Sequence, residues 1–180
     1  MTVIIEDQIF EEVEEIQGDI FLDCQFIKCD LSDQSFQGKT FSSCVFNHCN
    51  CSLINWTRTQ LKDVSFNHCK IMGGDFFKCD PTLLSIFFDQ CHIQYANFSG
   101  MILKNTRFTE CLLQECLFKE TNLTKSNFSQ SNLAGSTFHH TNLRSANFSG
   151  STNYSINPTA NDLAKATFSF PEAIKLLDGF

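Results

Sequence analysis

The chain of 180 residues has little of several things: three prolines, two tyrosines, one tryptophan and eight glycines. It has no run of apolar residues approaching the roughly 18 to 20 needed to cross a bilayer, so no membrane-spanning helix is expected. The first twenty residues lack the basic start and apolar centre of a secretory leader, and a soluble, cytoplasmic protein without membrane contact is expected. Lysine and arginine are missing from residues 1–23, which hold Glu6, Asp7, Glu11, Glu12, Glu14, Glu15, Asp19 and Asp23. The formal charge of −7 therefore belongs to the N-terminus, because the remainder has 12 acidic and 13 basic residues. A glycine-rich phosphate loop, H-E-x-x-H and G-x-S-x-G are absent as well. Without these motifs, no catalysis and no cofactor are expected.

What is present in excess is phenylalanine, with 20 residues. In "TNLTKSNFSQSNLAGSTF", residues 121–138, a large apolar residue recurs at every fifth position: Leu123, Phe128, Leu133 and Phe138. Neither a helix, with 3.6 residues per turn, nor a strand, with an alternation of two, has that period. The phase runs from Leu83 to Phe148 and, two residues out of step, from Phe21 to Phe76. Among these 26 positions only Cys51 is not a large apolar residue. The residue two places earlier is small in 19 of the 26 units and is a cysteine in eight of them.

A large and a small residue in every five suit a chain that turns a corner every five residues. Four corners close a square coil of about twenty residues, and successive coils stack as parallel strands about 4.8 Å apart. Residues twenty apart then share a column. One column reads Phe26, Phe46, Phe66, Phe88, Phe108, Phe128 and Phe148, and the opposite one Phe36, Trp56, Phe76, Phe98, Phe118 and Phe138. The other two are mostly leucine and isoleucine. The phase break is expected to be a two-residue bulge at 77–82, around Pro81. Seven layers would make a rod of roughly 30 Å.

The units "TNLTK", "SNFSQ", "SNLAG", "TNLRS" and "ANFSG" resemble the A-(D/N)-L-x-x units of pentapeptide repeat proteins. The resemblance covers residues 21–152 and implies an all-β solenoid, a right-handed quadrilateral β-helix. The segment "CLFKETNLTKSNFSQSNL", with "INP" and "FPEAIKLL" further on, is similar to the group that protects DNA gyrase. That group includes quinolone-resistance proteins and a microcin-immunity protein, dimers joined at their C-termini that are proposed to imitate duplex DNA. The resemblance thus implies a non-catalytic partner of DNA gyrase or a related type II topoisomerase, with a role in antibiotic resistance. The long projecting loops of the quinolone-resistance members have no counterpart here. The alternative is a structural scaffold for another protein.

A single domain is expected, with an acidic N-terminal cap over 1–20, coils over 21–152 and a cap over 153–180. Ile9, Val13 and Ile16 would add an irregular strand or short helix to the first coil. In the C-terminal cap, Pro158 and Pro171 suit helix starts. Ala173, Ile174, Leu177 and Phe180 fall on one helical face and are the expected homodimer contacts.

The cysteines are expected to be small core residues rather than metal ligands. Steps of five, as in Cys24, Cys29, Cys44 and Cys49, put neighbours on different walls, and no C-x2-C pair occurs. His48 and His68 should stack on the exterior, while His139 and His140 should point to different sides of a corner. One exterior column, Lys28, His48, His68, Gln90, Glu110 and Gln130, mixes signs, as does another, Gly38, Arg58, Lys78, Gly100, Glu120 and His140. Neither is a carboxylate stripe or a basic face, and direct nucleic-acid binding is not expected.

Overall fold

The computed structural model describes residues 2–179. Its unit is a corner, and each position of the corner has a physical reason. Around Leu123, the side-chain oxygen of Asn122 accepts the backbone N–H of Thr124 at 3.2 Å, which bends the chain directly after the inward-pointing leucine. Lys125 then takes a left-handed conformation, φ 60°. Ser126 turns inward, its N–H and hydroxyl both donating back to the Leu123 carbonyl at 3.0 and 2.7 Å. The same asparagine bond recurs at Asn97, Asn127, Asn132, Asn142 and Asn147. The asparagine of the repeat is therefore a turn former, and the small residue is the one that must fit inside the corner.

Corners stack into four walls. The first is a parallel sheet of Ile4–Glu6, Ile20–Leu22, Thr40–Ser42 and Gln60–Lys62. The second runs from Ile9–Glu11 through Gln25–Ile27, Val45–Asn47, Val64–Asn67 and Ile86–Asp89 to Phe108–Thr109. The third includes Lys70–Met72, His92–Gln94 and Leu112–Gln114. The fourth is held by single bridges such as Ser35 to Asn55 and Leu117 to Thr137. Phe26, Phe46, Phe66, Phe88, Phe108, Phe128 and Phe148 form one buried column with near-parallel rings 4.5–5.2 Å apart. Across the core they meet Trp56, Phe76, Phe98, Phe118 and Phe138 edge to face, the arrangement the ring quadrupole favours. Both phenylalanine columns therefore stand as the sequence predicts.

The phase break lies one corner later than the sequence suggests. Asp80 still holds the ladder, its N–H donating to Thr59 at 2.9 Å, and Pro81 takes the wall site expected of Leu83. Proline has no N–H for the next layer, and it stays exposed. Leu84 packs against the core instead, while Leu83 takes the left-handed site, φ 57°, and is 70% exposed. Two additional residues thus enter between Pro81 and Phe88, after which Ile86 and Phe88 pair with Val64 and Phe66. Where the bulge was expected to begin, Phe76–Lys78 forms a single 3-10 turn.

Both ends extend the coil beyond residues 21–152. At the N-terminus Phe10 stacks on Phe26 at 4.9 Å, and Ile5 pairs with Phe21. The partners are 16 rather than 20 residues apart because residues 12–18 cut a corner, with Ile16 buried. Gly18 makes the shortcut possible: a Cβ there would lie 2.8 Å from Ile5 Cδ1 and 3.0 Å from Phe21 Cζ. The acidic segment is therefore an ordered coil in which Val13 and Ile16 face inward and Ile9 outward. At the C-terminus the phase resumes after a short irregularity, with Leu163 and Phe168 packed on the core and Phe168 stacked 5.0 Å from Phe148. Phe10 to Phe168 makes nine levels on the second wall, roughly 38 Å long at about 4.8 Å per layer. Pro158 lies in a turn, not a helix. The one cap helix is the 3-10 segment Glu172–Gly179, which packs on Ser155–Ile156.

Candidate interaction surfaces

Among the described residues, the interior is filled by side chains. All ten cysteines are free and buried, and one column of them does the work of serine. Cys49, Cys69 and Cys91 donate Sγ–H to the carbonyls of Phe26, Phe46 and Phe66 at 3.2–3.3 Å. Cys91 and Cys111 accept the N–H groups of Cys69 and Cys91 at 3.4 Å. Two levels on, Ser131 makes both bonds, to Phe108 O at 2.5 Å and from Cys111 N at 2.9 Å. A small side chain that donates one way and accepts the other ties two coils together. Burial pushes the Cys44 and Cys116 thiols up to about 11 and Cys79 to about 12, away from the thiolate form that metal binding or nucleophilic attack needs. Among the described residues, no group of three or more His, Cys, Asp or Glu converges as a metal site.

Outside, His48 and His68 stack 4.6 Å apart with planes 3° from parallel. His139 and His140 differ from expectation, for their rings meet edge to face at 4.1 Å rather than pointing apart. The two exterior columns remain mixed in sign. Lys28 pairs with Glu12 at 3.6 Å and Gln90 donates to Glu110 at 2.9 Å.

Exposed apolar side chains include Val3, Ile4 and Ile9 at the N-terminal edge and single residues on the walls such as Leu53 and Tyr95, and two further groups lie at irregular segments. One is the bulge, where Phe77, Leu83 and Ile102 are 45%, 70% and 65% exposed beside a groove of about 250 Å³ lined by Pro81, Leu84 and Met101. The signal for this surface in the sequence is that Phe77 and Ile102 are large apolar residues next to an inward position instead of at it. The other is the C-terminal cap, where Phe170, Ile174 and Leu177 are exposed and Leu176 packs inward. Three residues per turn align Ile174 with Leu177 and set Ala173 with Leu176, so Ala173, half-buried, leaves the face expected of it. Phe180 lies outside the described residues.

Two models of the same repeat match the sequence: "pentapeptide repeat region" over residues 19–98 and "pentapeptide repeats (8 copies)" over 111–150, together about two thirds of the chain. No curated protein matches significantly. Among solved structures, full-length QnrB1, a plasmid-mediated fluoroquinolone resistance protein, superposes with a TM-score of 0.60 at 15% identity, over 97% of this chain and 98% of that one. A trypsin-treated form of QnrB1 gives 0.52 at 18% identity over 99% and 96%. HetL, from the cyanobacterium Nostoc sp. strain PCC 7120 and involved in heterocyst differentiation regulation, gives 0.51 at 12% identity over 92% and 86%. These identities establish a shared fold and nothing finer.

Proposed function

The chain belongs to the pentapeptide repeat family, and from that premise we propose that it is a non-catalytic protein that binds DNA gyrase or a related type II topoisomerase and protects it from an inhibitor or toxin. The observation that carries this reading is the match to the fluoroquinolone resistance protein over nearly the whole of both chains. Two features of the surface support it. The apolar residues Ile174 and Leu177 offer a C-terminal face for a homodimer, as in the gyrase-protecting group. The first two coils, residues 1–35, hold ten carboxylates against Lys28 alone, so any imitation of DNA charge is concentrated at that end. The protein would act in the cytoplasm, without cofactor and without binding nucleic acid directly.

A supercoiling assay with gyrase, a gyrase poison and micromolar protein tests the reading. Protection predicts restored supercoiling and fewer drug-induced cleavage products; no change in either removes it. The heterocyst regulator has the same fold in another process, which favours a second reading, a scaffold for a different protein partner. That reading gains if gyrase is unaffected.

A further inference from the structure

The ridge joining the first and second walls is built from the two residues that follow each inward residue of the first wall. Read along the rod, it changes sign. It starts with Glu6 and Asp7, continues with Asp23, passes Ser42 and Ser43, and reaches Lys62 and Asp63. Leu83 marks the middle, on the fifth of the nine levels. Beyond it come Lys104, Lys125, Arg144 and Lys165, one cation on each of four successive levels, as the bridges from Ile102 through Asn122 and Asn142 to Asp162 establish. The cations alternate between two adjacent columns, so those in one column stand two layers, about 9.6 Å, apart. All these charged residues are exposed. Among the described residues, only Arg144 has an ion pair in its own chain, with Asp162 at 3.1 Å.

We propose that this ridge is the docking surface for a second copy of the chain, laid antiparallel about a two-fold axis through Leu83. Levels equally far from the axis then face each other. Glu6 and Asp7 meet Lys165 of the second copy, Asp23 meets Arg144, and Lys62 and Asp63, together without net charge, meet Lys104. Lys125 meets Ser42 and Ser43, and the two exposed Leu83 side chains meet on the axis. Every contact occurs twice, and at the two outermost pairs of levels carboxylates oppose a cation. A parallel arrangement would set like charges together, so the pattern fixes direction as well as partner. The contact is isologous and uses up the ridge, so assembly through the ridge stops at two copies. It involves neither the C-terminal cap nor a topoisomerase, and its failure would leave the preceding proposal untouched.

The test uses the full chain with Leu177→Asp, which removes any association through the cap. Sedimentation at low salt should show a dimer that dissociates toward about 1 M salt, where the Debye length falls to about 3 Å. Either Asp23→Arg or Arg144→Asp should weaken the dimer about tenfold or more, and the two together should restore it to within about threefold, because the positions face each other across the axis. Zero-length carbodiimide coupling should join Lys165 to Glu6 or Asp7, which lie roughly 38 Å apart within one chain. A monomer at every concentration in low salt overturns the proposal. So does a double exchange no tighter than the single ones, or a series of species growing beyond the dimer.

Discussion

Phe128 is wholly buried, stacked 5.0 Å from Phe108 and 4.9 Å from Phe148, with Phe118 and Phe138 edge-on across the core. The rings above and below are fixed by their own ladders and cannot collapse into a vacancy. Phe128→Ala should therefore cost about 3–5 kcal/mol, measured by urea unfolding. Trp56 is also fully buried, but its Nε1–H has no acceptor. Trp56→Phe removes an unsatisfied donor along with some volume, and should cost less than about 1.5 kcal/mol. Ser131→Ala would strand both the Cys111 N–H and the Phe108 carbonyl, for about 1–3 kcal/mol. Ser131→Cys should cost less, since Cys91 already makes both bonds two levels earlier. Thiol titration offers a further check: the folded protein should react slowly at all ten cysteines and the unfolded protein at all of them. The inward residues were plain in the sequence because burial is periodic. The reason for cysteine was not, because the bonds it makes join coils 20 to 25 residues apart in the chain.

Among the elements, the first coil depends on a single residue. Gly18, at φ 147° and against Ile5 and Phe21, closes a turn four residues shorter than its successors. Gly18→Ala should cost about 1–3 kcal/mol through overpacking. The loss should be local, raising hydrogen exchange in Ile4–Glu6 and Ile9–Glu11 while the coils beyond Phe46 keep their protection. The irregular elements are also where sequence reasoning lost its hold. A period of five locates regular corners but is silent where the chain takes a shortcut, as at 12–18, or an excursion, as at 84–85. Leu163 and Phe168 were legible in principle, since both are multiples of five from Phe148. The interruption at Tyr154 and Ile156, which fill the core out of phase, hid them. Pro158 and Pro171 pointed to helices on local propensity, yet coil stacking claims the first.

Across the whole molecule, each coil packs on its neighbours, chiefly through contacts between residues distant in sequence. Stability is then close to a sum of interface terms along one axis, and the ends should open before the centre. At about 1 M salt, where the ridge contact is screened, the exposed Ile174 and Leu177 predict an end-to-end dimer by light scattering, and Leu177→Asp should halve the mass. The fold could be read from one line of sequence, because a repeat states its architecture many times over. The candidate surfaces could not, since they depend on which irregular residues the stacking brings to one side.

The two residues inserted after Pro81 leave the wall columns aligned, so the coil behaves as a counted stack in which length is a free parameter. Adding twenty residues between Phe108 and Phe128 would preserve every corner and every column. It would also carry Lys125, Arg144 and Lys165 about 4.8 Å further from Leu83 while leaving the carboxylates in place. The rod is in this sense a graduated scale: a change that the fold accepts without cost can still shift its two charged sectors out of correspondence.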